Sequence, residues 1–306
     1  SMGDETSKRS PPILSIRGVF DVPIVTLKEV LDHADEKRYA VGSFNVINYE
    51  GVRGILDAAE ETSSPVILAI AQVQLADVDF SSIMNIMVHE ASRAAVPVVV
   101  HLDHGMDFET VKQAIEFGCS SVMFDGSNLS LEENIGKTLQ VVDYAHARNV
   151  SVEAEVGEMG SEGSPSCSQD NVGAIDMTDV ESAQRFVKET GVDALAVAFG
   201  TIHGIMRGKP KLNLALLEEL NEKVDTHLVV HGGSGLMPQD YRNMIDRGIR
   251  KINYFTYGCR DVASKLRAYM GEHPDALYDE LSFFAKRAFK EVFTDVMGVF
   301  GSSGEA

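Results

Sequence analysis

The 306-residue chain carries 27 Lys and Arg against 46 Asp and Glu, a formal net charge of −19. That acidic excess argues against a large nucleic-acid or anionic-membrane surface, since both need cationic footprints, yet it leaves room for an anionic small molecule that feels only the local field of a cleft. With 44% hydrophobic and 24% charged residues there is material for one sizeable core, and no apolar run nears the roughly 20 residues that a bilayer span needs.

Taken in chain order, residues 1–22 read as a tag-like tail and lead-in without an apolar signal core, and 23–306 read as one domain. Cys119, Cys167 and Cys259 are few, odd in number and scattered, which fits a reducing compartment and a cytoplasmic setting. Short apolar runs then recur, each followed by an amphipathic stretch. The candidate strands are Ala40–Val46, Val66–Ala71, Val96–His101, Ser121–Asp125, Ser151–Val156, Ala194–Gly200, His227–His231 and Lys251–Thr256. They are nearly continuous in Val, Ile, Leu and Ala, as parallel strands buried on both faces are.

Between them, Gly51–Thr62 places Val52, Ile55, Leu56 and Ala59 on one helical face, and Leu131–Arg148 repeats the pattern. Thr178-Asp179-Val180-Glu181 has the form of a capping box, Leu214–Val224 and Pro238–Arg247 are further helices, and Pro274–Val299 is a helical tail. Strands that alternate with helices eight times predict a closed TIM (β/α)8 barrel with extra C-terminal helices, ahead of a doubly wound open sheet. Residues 158–175 form a long glycine-containing loop, a length that in a compact domain marks function or disorder.

In such barrels chemistry sits where the strands end at their C-terminal side. His104, His203 and His231, three of nine histidines, fall at three different strand ends, and each is followed at once by glycine. Three imidazoles with a fourth position open suit a catalytic zinc, although a lone strand-end histidine is more often a scaffold residue. His101 shares strand parity with Asp103 and is either a partner of a ligand or part of the scaffold. Asp103 and His104 alternate to opposite faces unless the strand is ending there, and Gly105 would permit the turn. Asp103 is then either a proton-transfer carboxylate or a cap on the next helix. Gly232-Gly233-Ser234-Gly235, with a helix starting near Pro238, suits a phosphate cradle that Asn253, Thr256 and Arg207 would complete.

These residues resemble the class II, zinc-dependent aldolases, the family of fructose-bisphosphate and tagatose-bisphosphate aldolases. The likeness runs from about Pro23 to Ala306 through Phe44-Asn45-Val46, His101-Leu102-Asp103-His104-Gly105, Glu153-Ala154-Glu155-Val156-Gly157, Gly191–Gly204, Gly208–Leu212, His231–Gly235, Lys251-Ile252-Asn253 and Phe300-Gly301-Ser302. The resemblance implies zinc on His104, His203 and His231, with Glu155 able to meet the metal in an alternative position. It implies Asp103 as the acid/base residue, Asn45 lining the pocket, and Gly204, Arg207, Gly232, Ser234, Asn253 and Thr256 around the phosphate of dihydroxyacetone phosphate, with a monovalent cation as a further possibility. It also implies a sugar-phosphate substrate and a homodimer or homotetramer, with Arg260 reaching towards a neighbouring pocket.

The pattern departs in three places. A direct register puts Gly163 where the family has its loop base, with Glu162 one place away and Asp170 further along. Ala71-Gln72 replaces a Ser-Glu pair that usually faces substrate, and Phe255 and Tyr257 replace residues that are commonly small or acidic. The expected activity is reversible cleavage of a ketose phosphate, fructose 1,6-bisphosphate first and tagatose 1,6-bisphosphate or another sugar phosphate next. The rival readings are a metal- and phosphate-binding homologue without turnover, and an isomerase or epimerase working through the same enediolate.

Overall fold

The computed structural model describes residues 23–157, 177–205 and 210–306. The tail 1–22 lies outside these, as do Glu162, Gly163, Asp170 and Arg207. Eight parallel strands close on themselves in chain order: β1 (Val41–Asn45), β2 (Val66–Ala71), β3 (Val98–Gly105), β4 (Ser121–Phe124), β5 (Ser151–Val156), β6 (Ala194–Val197), β7 (His227–Val230) and β8 (Ile249–Asn253). β1 closes the ring against β8, with Val41 beside Lys251 and Ser43 beside Asn253. This is the expected (β/α)8 barrel.

Helices follow the strands on the outside: α2 (Tyr49–Thr62), α3 (Phe80–Ala91), α4 (Phe108–Glu116), α5 (Leu131–His146), α6 (Val180–Thr190), α7 (Leu214–Lys223), α8 (Pro238–Ile245), α9 (Thr256–Glu272) and α10 (Tyr278–Phe300), while α1 (Leu27–Lys37) precedes β1. Among the described residues no helix is long and apolar enough to cross a membrane.

Strand alternation divides the core in two. Outward side chains such as Leu68, Val100, Val152 and Leu228 pack under the helices. Inward Val41, Ile67, Val99, Ala194 and Val229 form a separate apolar floor with Leu27, Val30, Leu31 and Ala34 of α1. Above that floor the inward positions turn polar while remaining buried: Ser43, His101, Ser121, Glu153 and Lys251, then Asn45, Asp103, Glu155, His231 and Asn253. The apolar layer seals one end of the barrel, and the polar layers lead to the other.

Several boundaries differ from expectation. β6 stops at Val197 and β8 runs from Ile249 to Asn253, so Thr256 begins α9 instead of ending a strand. The expected helical tail is α10, which packs against α2 and β1 through contacts such as the edge-on Phe44–Phe293 pair, 4.6 Å between centroids, while α9, which follows β8, packs against α10. Thr178 is not the cap of α6. Asp179 is, accepting from the Ser182 amide at 2.9 Å. Thr178 instead donates to the Val156 carbonyl at 2.6 Å and accepts from the Ala198 amide at 2.8 Å, stapling the exits of β5 and β6. A buried carbonyl and a buried amide would both lose their partner in Thr178→Val, each loss costing about 1–3 kcal/mol. Urea unfolding should show a destabilisation of at least about 2 kcal/mol with secondary structure retained in the folded baseline.

Candidate metal centre and active site

The site begins with an irregularity in β3. The strand does not end before Asp103: it runs through Gly105, and the register with β4 shifts between Leu102 and Gly105. His104 itself makes the turn, at φ 47°, a left-handed backbone that a non-glycine residue adopts at a cost of roughly 1–2 kcal/mol. Gly105 is needed for a different reason from the one expected, because a Cβ there would crowd the Met123 carbonyl and the Val111 side chain. The result is that Asp103 and His104, neighbours in sequence, both reach the same cavity.

His104, His203 and His231 present ring nitrogens that, with one atom from each, all lie within 4.8 Å of one another. Their rings meet edge to face, with centroids 4.6 to 5.9 Å apart. His104 Nδ1 lies 2.7 Å from Asp125 Oδ2, and His231 Nε2 lies 2.7 Å from Glu153 Oε1. A carboxylate only accepts, so those nitrogens carry the hydrogens and the opposite ones are left as lone pairs. The two lone-pair nitrogens, His104 Nε2 and His231 Nδ1, face each other at 2.9 Å. Facing lone pairs need a positive charge between them, supplied either by a proton on His104 Nε2 or by a metal ion. His203 Nε2 is also buried, without a hydrogen-bond partner among the described residues. Three imidazole donors, two of them oriented by carboxylates, fit a metal ion of the zinc type.

Electrostatics point the same way. Burial pushes His203 down to about 3, with its neighbouring imidazoles adding to the effect, and burial likewise lowers His231. Burial also opposes the charging of His104, but Asp103, Asp125 and Glu155 overcome it and raise that ring to about 9. Burial would raise Asp103, yet the facing His104 and His231 rings and the Lys251 ammonium hold its carboxyl well below the usual range. Asp103 is therefore an ionised carboxylate. It accepts from Asn45 Nδ2 at 3.0 Å through Oδ2 and from Asn253 Nδ2 at 3.1 Å through Oδ1. The helix cap beyond it is Asp107, bonded to the Thr110 amide at 2.8 Å, so the capping alternative for Asp103 falls away.

A cavity of about 230 Å³ opens over these groups, lined by Asn45, Asp103, His104, His203, Gly204, Gly232, Ser234, Asn253 and Thr256, and also by Ala71, Val73, Gln74 and Phe255. Gly232 lies at φ 60°, where a Cβ would strike the Ile202 carbonyl. Gly233 is not in the cavity wall: its carbonyl accepts from the Tyr241 hydroxyl at 2.7 Å, which anchors the loop from behind. The helix end that faces the cavity is that of α9, which has no side-chain cap at Phe255. The expected one, α8, begins with a proline, and its Met237 amide is spent on Asp240.

Glu155 joins His104 and Asp125 in a second cluster able to hold a cation. His101, left open by parity, is fully buried with Nδ1 2.9 Å from Ser121 Oγ and Nε2 3.8 Å from Glu153 Oε2, outside the ligand set. The sequence reasoning missed Asp125, Glu153 and Lys251 as working parts. Charged residues inside otherwise apolar strands, as at Glu153 and Lys251, were the available signal. Of the departures, Ala71 does line the cavity, whereas Gln72 turns away to accept from the Met106 amide at 2.6 Å and to donate to Asp107 at 2.7 Å.

A closed parallel barrel whose C-terminal rim gathers three imidazoles and an ionised carboxylate is a (β/α)8 protein with a site suited to a metal ion. The sequence model of class II fructose-bisphosphate aldolase matches residues 25–305, and the chain belongs to that family of carbon–carbon lyases. It is 41% identical over 289 residues to the 6-phospho-5-dehydro-2-deoxy-D-gluconate aldolase of Bacillus licheniformis, covering 92% of this chain and 96% of that one. It is 39% identical to the fructose-bisphosphate aldolase of Geobacillus stearothermophilus, covering 92% and 99%. Its fold matches the crystal structure of the YdjI aldolase from Escherichia coli K12 with a TM-score of 0.82 at 34% identity, covering 92% and 99%.

Gly232 ties the ligand loop of β7 to that of β6, so Gly232→Ala should displace His203 relative to His231. The expected outcome is at least a tenfold loss of bound divalent metal in elemental analysis after dialysis, with the circular dichroism of the barrel unchanged.

Proposed function

We propose that the chain is a zinc-dependent aldolase that reversibly cleaves a ketose phosphate into dihydroxyacetone phosphate and an aldehyde. The observation that carries this reading is Asp103, an ionised carboxylate bonded by two amides, in the same cavity as the three-histidine cluster. His104, His203 and His231 would hold the zinc, with Glu155 as an alternative ligand. A zinc ion held there would supply a Lewis acid for a carbonyl oxygen and for the negative charge that cleavage develops.

The remaining steps belong to the chain. In the cleavage direction the Asp103 carboxylate takes the proton from the hydroxyl that becomes the aldehyde oxygen, and in synthesis it returns it. Its carboxyl, held below the usual range by the facing imidazoles and Lys251, is ionised at neutral pH, the state a base must have before the reaction. Asn45 and Asn253 keep both oxygens aimed into the cavity. Gly204, Gly232, Ser234 and Thr256, at the open N-terminus of α9, form the side on which a phosphate would bind, with Gly233 supporting the loop. Arg207, Glu162 and Asp170 lie outside the described residues. Arg207 is proposed as the phosphate cation and Glu162 as the base towards dihydroxyacetone phosphate.

Ala71, Val73, Gln74 and Phe255, which also line the cavity, would receive the aldehyde half. Fructose 1,6-bisphosphate is the first substrate to test. A substrate with a carboxylate in the aldehyde half is the second reading, supported by the name of the relative from Bacillus licheniformis.

Retro-aldol assays over a panel of phosphorylated ketoses, with zinc measured on the same sample, test the reading. Cleavage should vanish with a chelator and return with zinc. Asp103→Ala should lower kcat by about 100-fold or more, the scale of lost proton transfer, while the zinc content stays at parent level. Undiminished cleavage in that variant would remove Asp103 from its role.

A further inference from the structure

One buried charge pair stands behind both the imidazole cluster and Asp103. Lys251 of β8 and Glu153 of β5 meet across the barrel interior, each fully buried, with Nζ 2.9 Å from Oε2. Two charges removed from water lose most of their attraction to desolvation, and a well-packed apolar pair would serve the fold as well. The contacts of this pair lead to the site by two routes.

The first route runs through the carboxylate. Lys251 Nζ holds Glu153 at both oxygens, 2.9 and 3.2 Å away, so that Oε1 is presented to His231 Nε2 at 2.7 Å. That contact places the hydrogen on Nε2 and turns the Nδ1 lone pair towards His104. The second route runs through an amide. Lys251 Nζ also donates to Asn253 Oδ1 at 2.6 Å. With its oxygen so engaged, Asn253 can offer only its NH2, which donates to Asp103 Oδ1 at 3.1 Å and stands 3.4 Å from His231 Nδ1. A flipped Asn253 would set its oxygen against the Asp103 carboxylate. One ammonium thus fixes the tautomer of a ligand and the orientation of the amide that holds the acid/base residue.

We propose that Lys251 is a positioning residue: through Glu153 and Asn253 it sets the ligating face of His231 and the aim of Asp103, so divalent-metal affinity depends on a side chain that touches neither metal nor substrate. The inference rests on the three-histidine site proposed above. It assigns Lys251 no covalent role, because the side chain is enclosed and does not line the cavity.

The test compares the parent chain, Lys251→Met, and the double variant Glu153→Gln/Lys251→Met. The double variant removes both charges and leaves no unpaired carboxylate in the core should the single variant fail to fold. Zinc dissociation constants are measured by competition with a chromophoric chelator, with the melting temperature of the metal-free protein and the visible spectrum of the cobalt form taken alongside. The expected result is a 10- to 100-fold weaker zinc affinity in each folded variant, the range typical of lost partners to metal ligands, with an altered cobalt spectrum. A purely structural role would lower the metal-free melting temperature and leave the zinc constant within twofold of the parent. That outcome in the double variant overturns the proposal. A parent chain that binds no zinc overturns the site reading itself, and this inference with it.

Discussion

One backbone angle governs the site. In a regular strand Asp103 and His104 would point to opposite sides of the barrel wall, one into the polar interior and the other under α4. The left-handed turn at His104, with the register shift against β4, places both over one cavity. The strain of roughly 1–2 kcal/mol is carried by neighbours that leave little freedom: Asp125 grips the imidazole at 2.7 Å, and Gly105 lies too close to the Met123 carbonyl for any side chain. Two residues adjacent in sequence can then face the same cavity.

The second constraint is charge. Asp103, Glu153, Lys251, His101 and His231 occupy consecutive inward layers of a barrel closed at one end by an apolar floor. In so dry a space each ionised group needs a partner within hydrogen-bonding reach. Glu153 has Lys251 and His231, and Asp103 has the two amides. The three ligand imidazoles cannot all charge together, because each lowers the others when protonated. Only His104, surrounded by carboxylates, holds a proton well into the alkaline range. The same carboxylates that favour that proton favour a divalent cation in its place.

Much of this was legible in the chain. Parallel strands buried on both faces appear as nearly unbroken apolar runs, which is why all eight were found, and the His-Gly pairs marked the rim. Local rules failed where partners lie far apart in sequence. Nothing near Glu153 announces that Lys251, 98 residues later, completes it. Thr178 fits a capping box on paper, but its hydroxyl is drawn to the exits of β5 and β6, and Asp179 takes over the cap. At Asn253 the strand stops two residues after Lys251, so Thr256 becomes the open end of α9, a shift that apolar content alone does not reveal.

The lining of the cavity is built by different means. The part with the histidines is a product of barrel closure: backbone turns at Gly204 and Gly232, a helix terminus, and side chains locked by buried partners. Change there disturbs the three imidazoles and Asp103 together. The rest of the lining consists of Ala71 at the end of β2, Val73 and Gln74 on the turn after it, and Phe255 between β8 and α9. Gln72 ties that turn to the loop before α4 through the Met106 amide and Asp107, and makes no hydrogen bond to the histidine cluster. Substitutions at these positions therefore reshape the cavity without removing a hydrogen-bond partner of the histidines or of Asp103. Ala71 and Phe255, two of the positions at which the sequence departs from the family pattern, are among them.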